Sequence, residues 1–218
     1  MTRQSWAGFF LVLDGIDGCG KSTQAKNLYH HFRKMNQKVH ITTEPSQGDL
    51  GQILRKYLKK DQNPPQLDAL LFAADRIEHC HDEILPALND GKLVISDRYR
   101  DSSYIYQSIQ GKNDGINRAW IESINKFSLT PDFTIIFDID PKIALKRRIT
   151  HNTENQEEMD KFEEINFQYE IRKGFKEIVA HNPKEKYLII DADQSPDQIF
   201  AIVLKKINHL LKTKGILL

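Results

Sequence analysis

No stretch of this 218-residue chain reaches the roughly 18 consecutive apolar residues that a membrane-spanning helix needs. The polar opening, Met1 to Trp6, precedes an apolar run too short for the core of a signal peptide. Cysteine is scarce. Cys19 and Cys80 alone imply no disulfide framework and fit a reducing compartment. An excess of either charge is also missing: 31 Lys+Arg against 30 Asp+Glu leave a net +1, which disfavours a dedicated nucleic-acid or polybasic membrane binder. Internal repeats and low-complexity tracts are absent. The expectation is a soluble, cytoplasmic protein with neither nucleic acid nor membrane as partner. What remains is ordinary globular composition, 39% hydrophobic and 28% charged, over a length that suits one domain spanning 1–218.

Short apolar runs alternate with stretches of helical period, the pattern of βαβ units. Strands are expected at Phe9 to Leu13, Val39 to Thr42, Leu93 to Ser96, Phe133 to Phe137 and Tyr187 to Ile190. Several are nearly continuous hydrophobics, as parallel strands buried on both faces should be. The fold class is therefore α/β, with one five-stranded parallel sheet. Ala25, Leu28, Phe32 and Met35 mark the sheet-facing side of a helix opening at Lys21. Leu67, Leu70, Leu71, Ala74, Ile77, Ile84 and Leu88 predict one long helix, preceded by Pro64 and Pro65 and ending near Asp90 and Gly91. The polar stretch His151 to Lys161 has no hydrophobic period and reads as a flap. Helical spacing resumes from Phe162 through Phe175 and again after Pro196.

Between the first strand and the first helix lies Gly15-Ile16-Asp17-Gly18-Cys19-Gly20-Lys21-Ser22, which satisfies G-x-x-x-x-G-K-[ST] in the context its mechanism requires. Glycines let the backbone wrap a phosphate, its N–H groups point inward, and the helix N-terminus adds partial positive charge. Lys21 supplies a full charge, and the Ser22 hydroxyl is placed for Mg²⁺ carried with a nucleotide. Residues 15–22, with Thr23 following, form the expected ATP cradle.

A guanine-reading Asn-Lys-x-Asp is not present, because Asn125-Lys126-Phe127-Ser128 lacks the acid; a switch GTPase is disfavoured. Asp97 and Arg98 stand instead at the C-terminal end of a sheet strand, where ligands of open α/β sheets bind. Asp97 suits Mg²⁺ held through water or the orientation of an acceptor, and Arg98 a bidentate grip on an acceptor phosphate.

Taken in order, Gly15 to Gln24, Thr43-Glu44-Pro45, Leu71-Phe72-Ala73-Ala74-Asp75-Arg76, Asp97-Arg98-Tyr99 with Ser102-Ser103 and Tyr106-Gln107, Leu129 to Asp132, Ala144 to Arg147, and Asp160 to Glu163 resemble the thymidylate kinase family of P-loop nucleoside monophosphate kinases. The resemblance implies a three-layer α/β/α P-loop fold with a lid at about 148–162. The implied reaction moves the γ-phosphoryl group of ATP to dTMP, a step toward dTTP. Its rivals are a related kinase for another deoxynucleoside monophosphate or a nucleoside, and a nucleotide-binding module without catalysis. Carried over position by position, the resemblance assigns Asp17 to the deoxyribose 3′-hydroxyl, Phe72 to stacking on thymine and Arg76 to the base O4. It assigns Ser103 to the N3 edge with Gln107 nearby, and Tyr106 to the space under the sugar. Glu44 and Pro45 shape the acceptor loop, Arg147 lies near ATP, and Lys161 takes the place of a lid arginine. Thr43 departs from the family by standing where many bacterial relatives carry an arginine, so more of the phosphate grip is expected to fall on Arg98. A homodimer is the implied assembly.

Overall fold

Every residue of the first strand, β1 (Phe9–Gly15), is buried, because parallel partners flank it on both sides and helices cover both faces. The computed structural model describes residues 6–60, 63–151, 165–182 and 186–216. Beside β1 run β2 (Val39–Thr43), β3 (Leu93–Asp97), β4 (Phe133–Asp138) and β5 (Tyr187–Asp191), in the spatial order β2-β3-β1-β4-β5 and parallel throughout. All five expected strands are present, each extended by a residue or two.

Alternate residues of β1 serve different layers. Phe9, Leu11 and Leu13 join the larger core cluster, with Ala25, Leu28 and Phe32 of α1 (Lys21–Lys34) and Ile199, Val203 and Ile207 of α9 (Pro196–Thr213). Phe10 and Val12 join a second cluster with Ile84, Ala87 and Leu88 from the run after α3 (Pro65–His79). Period-2 alternation thus builds the three layers directly. Met35 departs from the expected inner face of α1: it follows the last helical residue and is 49% exposed.

The one long helix expected between Pro64 and Asp90 is a helical run with a change of pitch. It is α3, a π-helical turn at Cys80–Ile84, and α4 (Leu85–Asn89). Within α3 the apolar stripe turns outward, with Leu70 49% and Ile77 44% exposed, whereas its continuation at Ile84 and Leu88 is completely buried. The buried side of α3 carries Asp68, Ala69, Ala73, Asp75, Arg76 and His79. The inner face of α3 is thus largely polar, and its charged side chains meet partners from elsewhere in the chain: Asn63 for Asp68, Ser46 for Asp75, and Glu44 for Arg76 and His79.

Further helices of the described chain are α2 (Asp49–Leu58), α5 (Arg100–Gln110), α6 (Arg118–Ile124) and α7 (Pro141–His151). Between α7 and β5 stands α8 (Ile165–His181), which buries Ile171, Phe175 and Ile178. Of the expected lid, 148–151 form the last turn of α7, while 152–162 with Lys161 lie outside the described residues. Phe162 lies outside them too. Among the described residues no helix is long and apolar enough to cross a membrane.

Candidate active site

From β1 the chain runs to β2 and β3 on one side of the sheet and later to β4 and β5 on the other, so a crevice opens at the carboxyl end of β1. The glycine-rich loop fills that position. Gly15, Gly18 and Gly20 have φ of +146°, +79° and +98°, a region that side chains rarely adopt. A Cβ at Gly15 would also lie 2.7 Å from the Phe137 carbonyl oxygen, so this glycine seats the loop on β4. Gly20 precedes α1 without a side-chain cap, and no acid occupies the first turn. The first N–H groups of α1 therefore face a cleft that favours an anion.

That cleft, about 610 Å³, is lined by Asp17 to Gln24, Arg147, Arg148, Gln194, Pro196 and Ile199. The Lys21 ammonium donates to the Ile16 carbonyl at 3.2 Å and lies 3.6 Å from Asp17. Ser22 donates its hydroxyl to Asp97 Oδ2, while the buried Asp97 Oδ1 has no hydrogen-bond partner among the described residues. Arg147 donates to the Ala192 carbonyl at 2.8 Å and lies 3.6 Å from Asp193, so it braces the loop after β5 as well as lining the cleft. Gln24 ties α1 to the same loop by donating to the Pro196 carbonyl at 2.8 Å.

A second cavity of about 160 Å³ lies on the other side of Asp17, which lines both. It gathers Asp17, Glu44, Pro45, Phe72, Arg76, Arg98, Ser103, Tyr106 and Gln107, all of them singled out from the sequence, together with Leu58, Tyr99 and Ser102. Arg98 has φ of +70°, a strained conformation for a residue with a side chain. Its guanidinium donates to Asp17 and to Ser102 Oγ (3.0 Å) and lies 5.1 Å from the centre of the Tyr106 ring. Burial raises the Asp17 carboxyl, but the charges of Arg98, Lys21 and Arg148 outweigh it and hold the group well below the usual carboxylate range.

Arg76 is almost completely buried. Its Nε and Nη2 donate to Glu44 Oε2 at 2.8 and 2.6 Å, Nη2 also donates to Ser103 Oγ at 2.9 Å, and Nη1 donates to Asn125 Oδ1. These bonds use four of the five N–H groups of a guanidinium and leave one on Nη1. Ser103 and Gln107 on α5 are buried, and Phe72 is half-buried one turn before Arg76. Thr43 does not line the cavity; its hydroxyl donates to the Asp97 carbonyl at 3.1 Å between neighbouring strands.

Sequence reasoning passed over three groups. Asp14, fully buried at the end of β1, accepts from the Ser102 hydroxyl at 2.7 Å and from the Gly15 N–H at 2.9 Å. Burial pushes its carboxyl up to about 6, although Arg98 pulls it down. The one signal was a carboxylate closing an otherwise apolar strand. Asn125, read only as a failed guanine motif, turns inward at the end of α6 to hold Arg76. His79 carried no sequence signal, because it meets Glu44 and Thr42 only through the fold.

Residues 13–203 match the family model described as Thymidylate kinase. A "Probable thymidylate kinase" of Methanosarcina acetivorans is 40% identical, covering 92% of this chain and 95% of that protein. One from Pyrobaculum aerophilum is 37% identical over 94% of this chain and 99% of its own length. A "Thymidylate kinase" of Maridesulfovibrio salexigens is 33% identical over 93% and 96%.

Proposed function

The chain belongs to the thymidylate kinase family, and from that premise we propose how its two clefts divide the work of phosphorylating dTMP. The reaction is transfer of the γ-phosphoryl group of ATP to dTMP, giving ADP and dTDP. In this reading ATP lies on the glycine-rich loop with its phosphates over the start of α1 and Lys21. The acceptor lies in the smaller cavity, with its base between Phe72 and Arg76 and its phosphate on Arg98. The observation that carries the assignment is Asp17, which lines both cavities and is paired with Lys21 on one side and Arg98 on the other.

No covalent intermediate is needed, because the acceptor phosphate is already an anion in line with the γ-phosphate. Catalysis is then positioning and charge neutralisation. Arg98 presents a planar fork to the acceptor phosphate, and its fixed backbone conformation aims that fork. The last Nη1–H of Arg76 suits the base O4, and the buried Ser103 and Gln107 suit the N3 edge. Asp17 takes the 3′-hydroxyl once Arg98 turns to phosphate, and Tyr106 packs beneath the sugar. On the donor side Arg147 holds the loop against which the nucleotide base rests. Lys161 and the lid are proposed as the cover that excludes water.

The donor set at Ser22 and Asp97 fits Mg²⁺ carried with ATP, because Asp97 Oδ1 is buried with no protein partner among the described residues. Bound there, the ion would neutralise charge on the β- and γ-phosphates. The proposal extends to a homodimer, supported by the outward Leu70 and Ile77 of α3 and by Ile53 on the adjacent α2, and to a cytoplasmic location. The test is ADP release with ATP and a panel of acceptors. ADP formation that requires dTMP supports the reading, and preferential turnover of dCMP or thymidine overturns the substrate assignment.

A further inference from the structure

His79, at the end of α3, is completely buried, and both of its ring nitrogens face acceptors. Nδ1 lies 3.2 Å from Glu44 Oε1. Nε2 lies 2.7 Å from the Thr42 hydroxyl and 3.4 Å from Glu83 Oε2. A neutral imidazole donates from only one nitrogen, whereas an imidazolium donates from both. A ring set between two carboxylates on opposite sides is therefore matched by the doubly protonated form. Glu83 belongs to the π-helical turn, and its other oxygen lies 2.8 Å from His40 Nε2 on the edge strand β2. The result is a row of alternating charge, Arg76–Glu44–His79–Glu83, with His40 behind its outer end.

This row connects directly to the acceptor cavity. Glu44 Oε2 takes two N–H groups of Arg76, and Oε1 takes His79. Glu44 is 4% exposed, so water does little to fix its carboxylate plane, and its two oxygens are oriented by two cationic partners. Removing one partner frees the plane to turn, and the Arg76 fork turns with it.

We propose that His79 is a positioning residue for base recognition, held as an imidazolium between Glu44 and Glu83 so that Glu44 keeps Arg76 aimed at the pyrimidine. The inference rests on the reading of Arg76 as a base contact. Burial favours the neutral ring, but hydrogen bonds to Glu44 and Glu83 outweigh it and raise the group to about 9. The titratable groups facing the ring are Glu44 from the end of β2 and Glu83 from the π turn, with Arg76 beyond the first and His40 beyond the second.

The test combines kinetics with the protonation state of the ring. His79→Gln keeps one donor and loses the charge; Glu83→Gln alters the bridge from its one-third-exposed end and leaves the buried groups in place. In both, KM for dTMP is expected to rise about five- to tenfold, the loss of part of one charge-assisted hydrogen bond, with kcat and KM for ATP within about twofold. In ¹⁵N-histidine spectra of the wild-type enzyme at pH 7.5, His79 should show two protonated ring nitrogens, and Glu83→Gln should lower the pH at which one is lost. A ring with one unprotonated nitrogen at pH 7.5 overturns the proposal. So does an unchanged KM for dTMP in a folded Glu83→Gln enzyme. An Arg76→Ala control separates the two readings: if it raises KM for dTMP while the histidine and glutamate variants do not, only this inference fails. If Arg76→Ala leaves dTMP use unchanged, the base assignment fails and takes the inference with it.

Discussion

Replacing Asp14 by asparagine is expected to make the protein more stable at pH 8 and less active. The Asp14 carboxyl is fully buried beside the glycine-rich loop, and burial lifts it from its ordinary 3.8 to about 6 despite Arg98 and the Ser102 hydrogen bond. Between those two values the folded state keeps a proton that the unfolded chain has released. Stability therefore falls as pH rises through that window, and the full cost is present above about pH 6. At 1.36 kcal/mol per pH unit, the gap between 3.8 and about 6 corresponds to about 3 kcal/mol. Asparagine removes that titration and keeps an amide oxygen for Ser102. It also loses the attraction of Arg98, 3.9 Å away, and gains an amide that must find a partner. A net gain of about 1–2 kcal/mol at pH 8 remains, or about 2–8 °C in Tm for a chain of this size. Calorimetric melts of both proteins from pH 8 downward should show the advantage of the variant shrinking as pH falls through 6 toward 4. The same enzyme should lose about tenfold in kcat/KM for dTMP, because Ser102 and Arg98 lose the carboxylate they lean on. A variant that melts lower than wild type at pH 8, by the same margin as at pH 5, refutes the reasoning.

Lys21→Ala should lower kcat by about 10²–10³ without unfolding the chain, read by ADP release and circular dichroism; near-normal turnover would contradict the donor assignment. Exchanging dTMP for dUMP removes only a methyl group, so kcat/KM should fall about 10- to 200-fold, far less than for a cytosine acceptor, whose amino group faces the Arg76 donor. Ile77→Asp on the exposed stripe of α3 should yield a monomer by analytical ultracentrifugation while leaving the melting temperature within a few degrees; an unchanged sedimentation coefficient removes that face as the dimer contact. Gly174→Ala would place a methyl 2.6 Å from Ile105 Cγ2 where α8 meets α5, and should cost about 1–3 kcal/mol in denaturant titrations, partly recovered by Ile105→Ala.

The parts of the molecule that sequence exposes most readily are those where one local rule has no competitor. The central strands β1, β3 and β4 are short apolar runs buried on both faces, and the phosphate loop is a fixed spacing at a strand-to-helix junction. Helix α3 shows where such rules stop. Its apolar positions recur at helical period, so the helix itself was legible, yet the inner face is Asp68, Asp75, Arg76 and His79. Those residues are tolerated inside because partners arrive from elsewhere in the chain: Glu44 from the end of β2, Ser46 bonded to Asp75 at 2.5 Å, and Asn125 from the end of α6. No periodicity reports a salt bridge between residues 32 positions apart. Family resemblance singled out Arg76 and Phe72, both of which line the acceptor-side cavity, where pattern alone did not, but it did not supply Asp14, Asn125 or His79, which hydrogen-bond to residues lining that cavity.

The placement of Asp17 gives these buried charges a common logic. On the proposed function, a carboxylate between two sites that each receive phosphate looks unfavourable, since it repels both ligands. Its value is as a stand-in: before substrates arrive it neutralises the Lys21 and Arg98 cations and keeps them in the crevice instead of extended into solvent. Each incoming phosphate can then exchange with the carboxylate for a cation that is already in place, and the ordering entropy of that long side chain is largely met beforehand. Arg98 is prepared further by its fixed left-handed backbone and by Asp14 and Ser102 behind it. Arg76 is prepared in the same manner by Glu44, with His79 behind the glutamate. Both acceptor-side arginines are thus held by a carboxylate that is itself held, which explains why the inner faces of β1 and α3 carry charge at positions where a simple core would carry leucine.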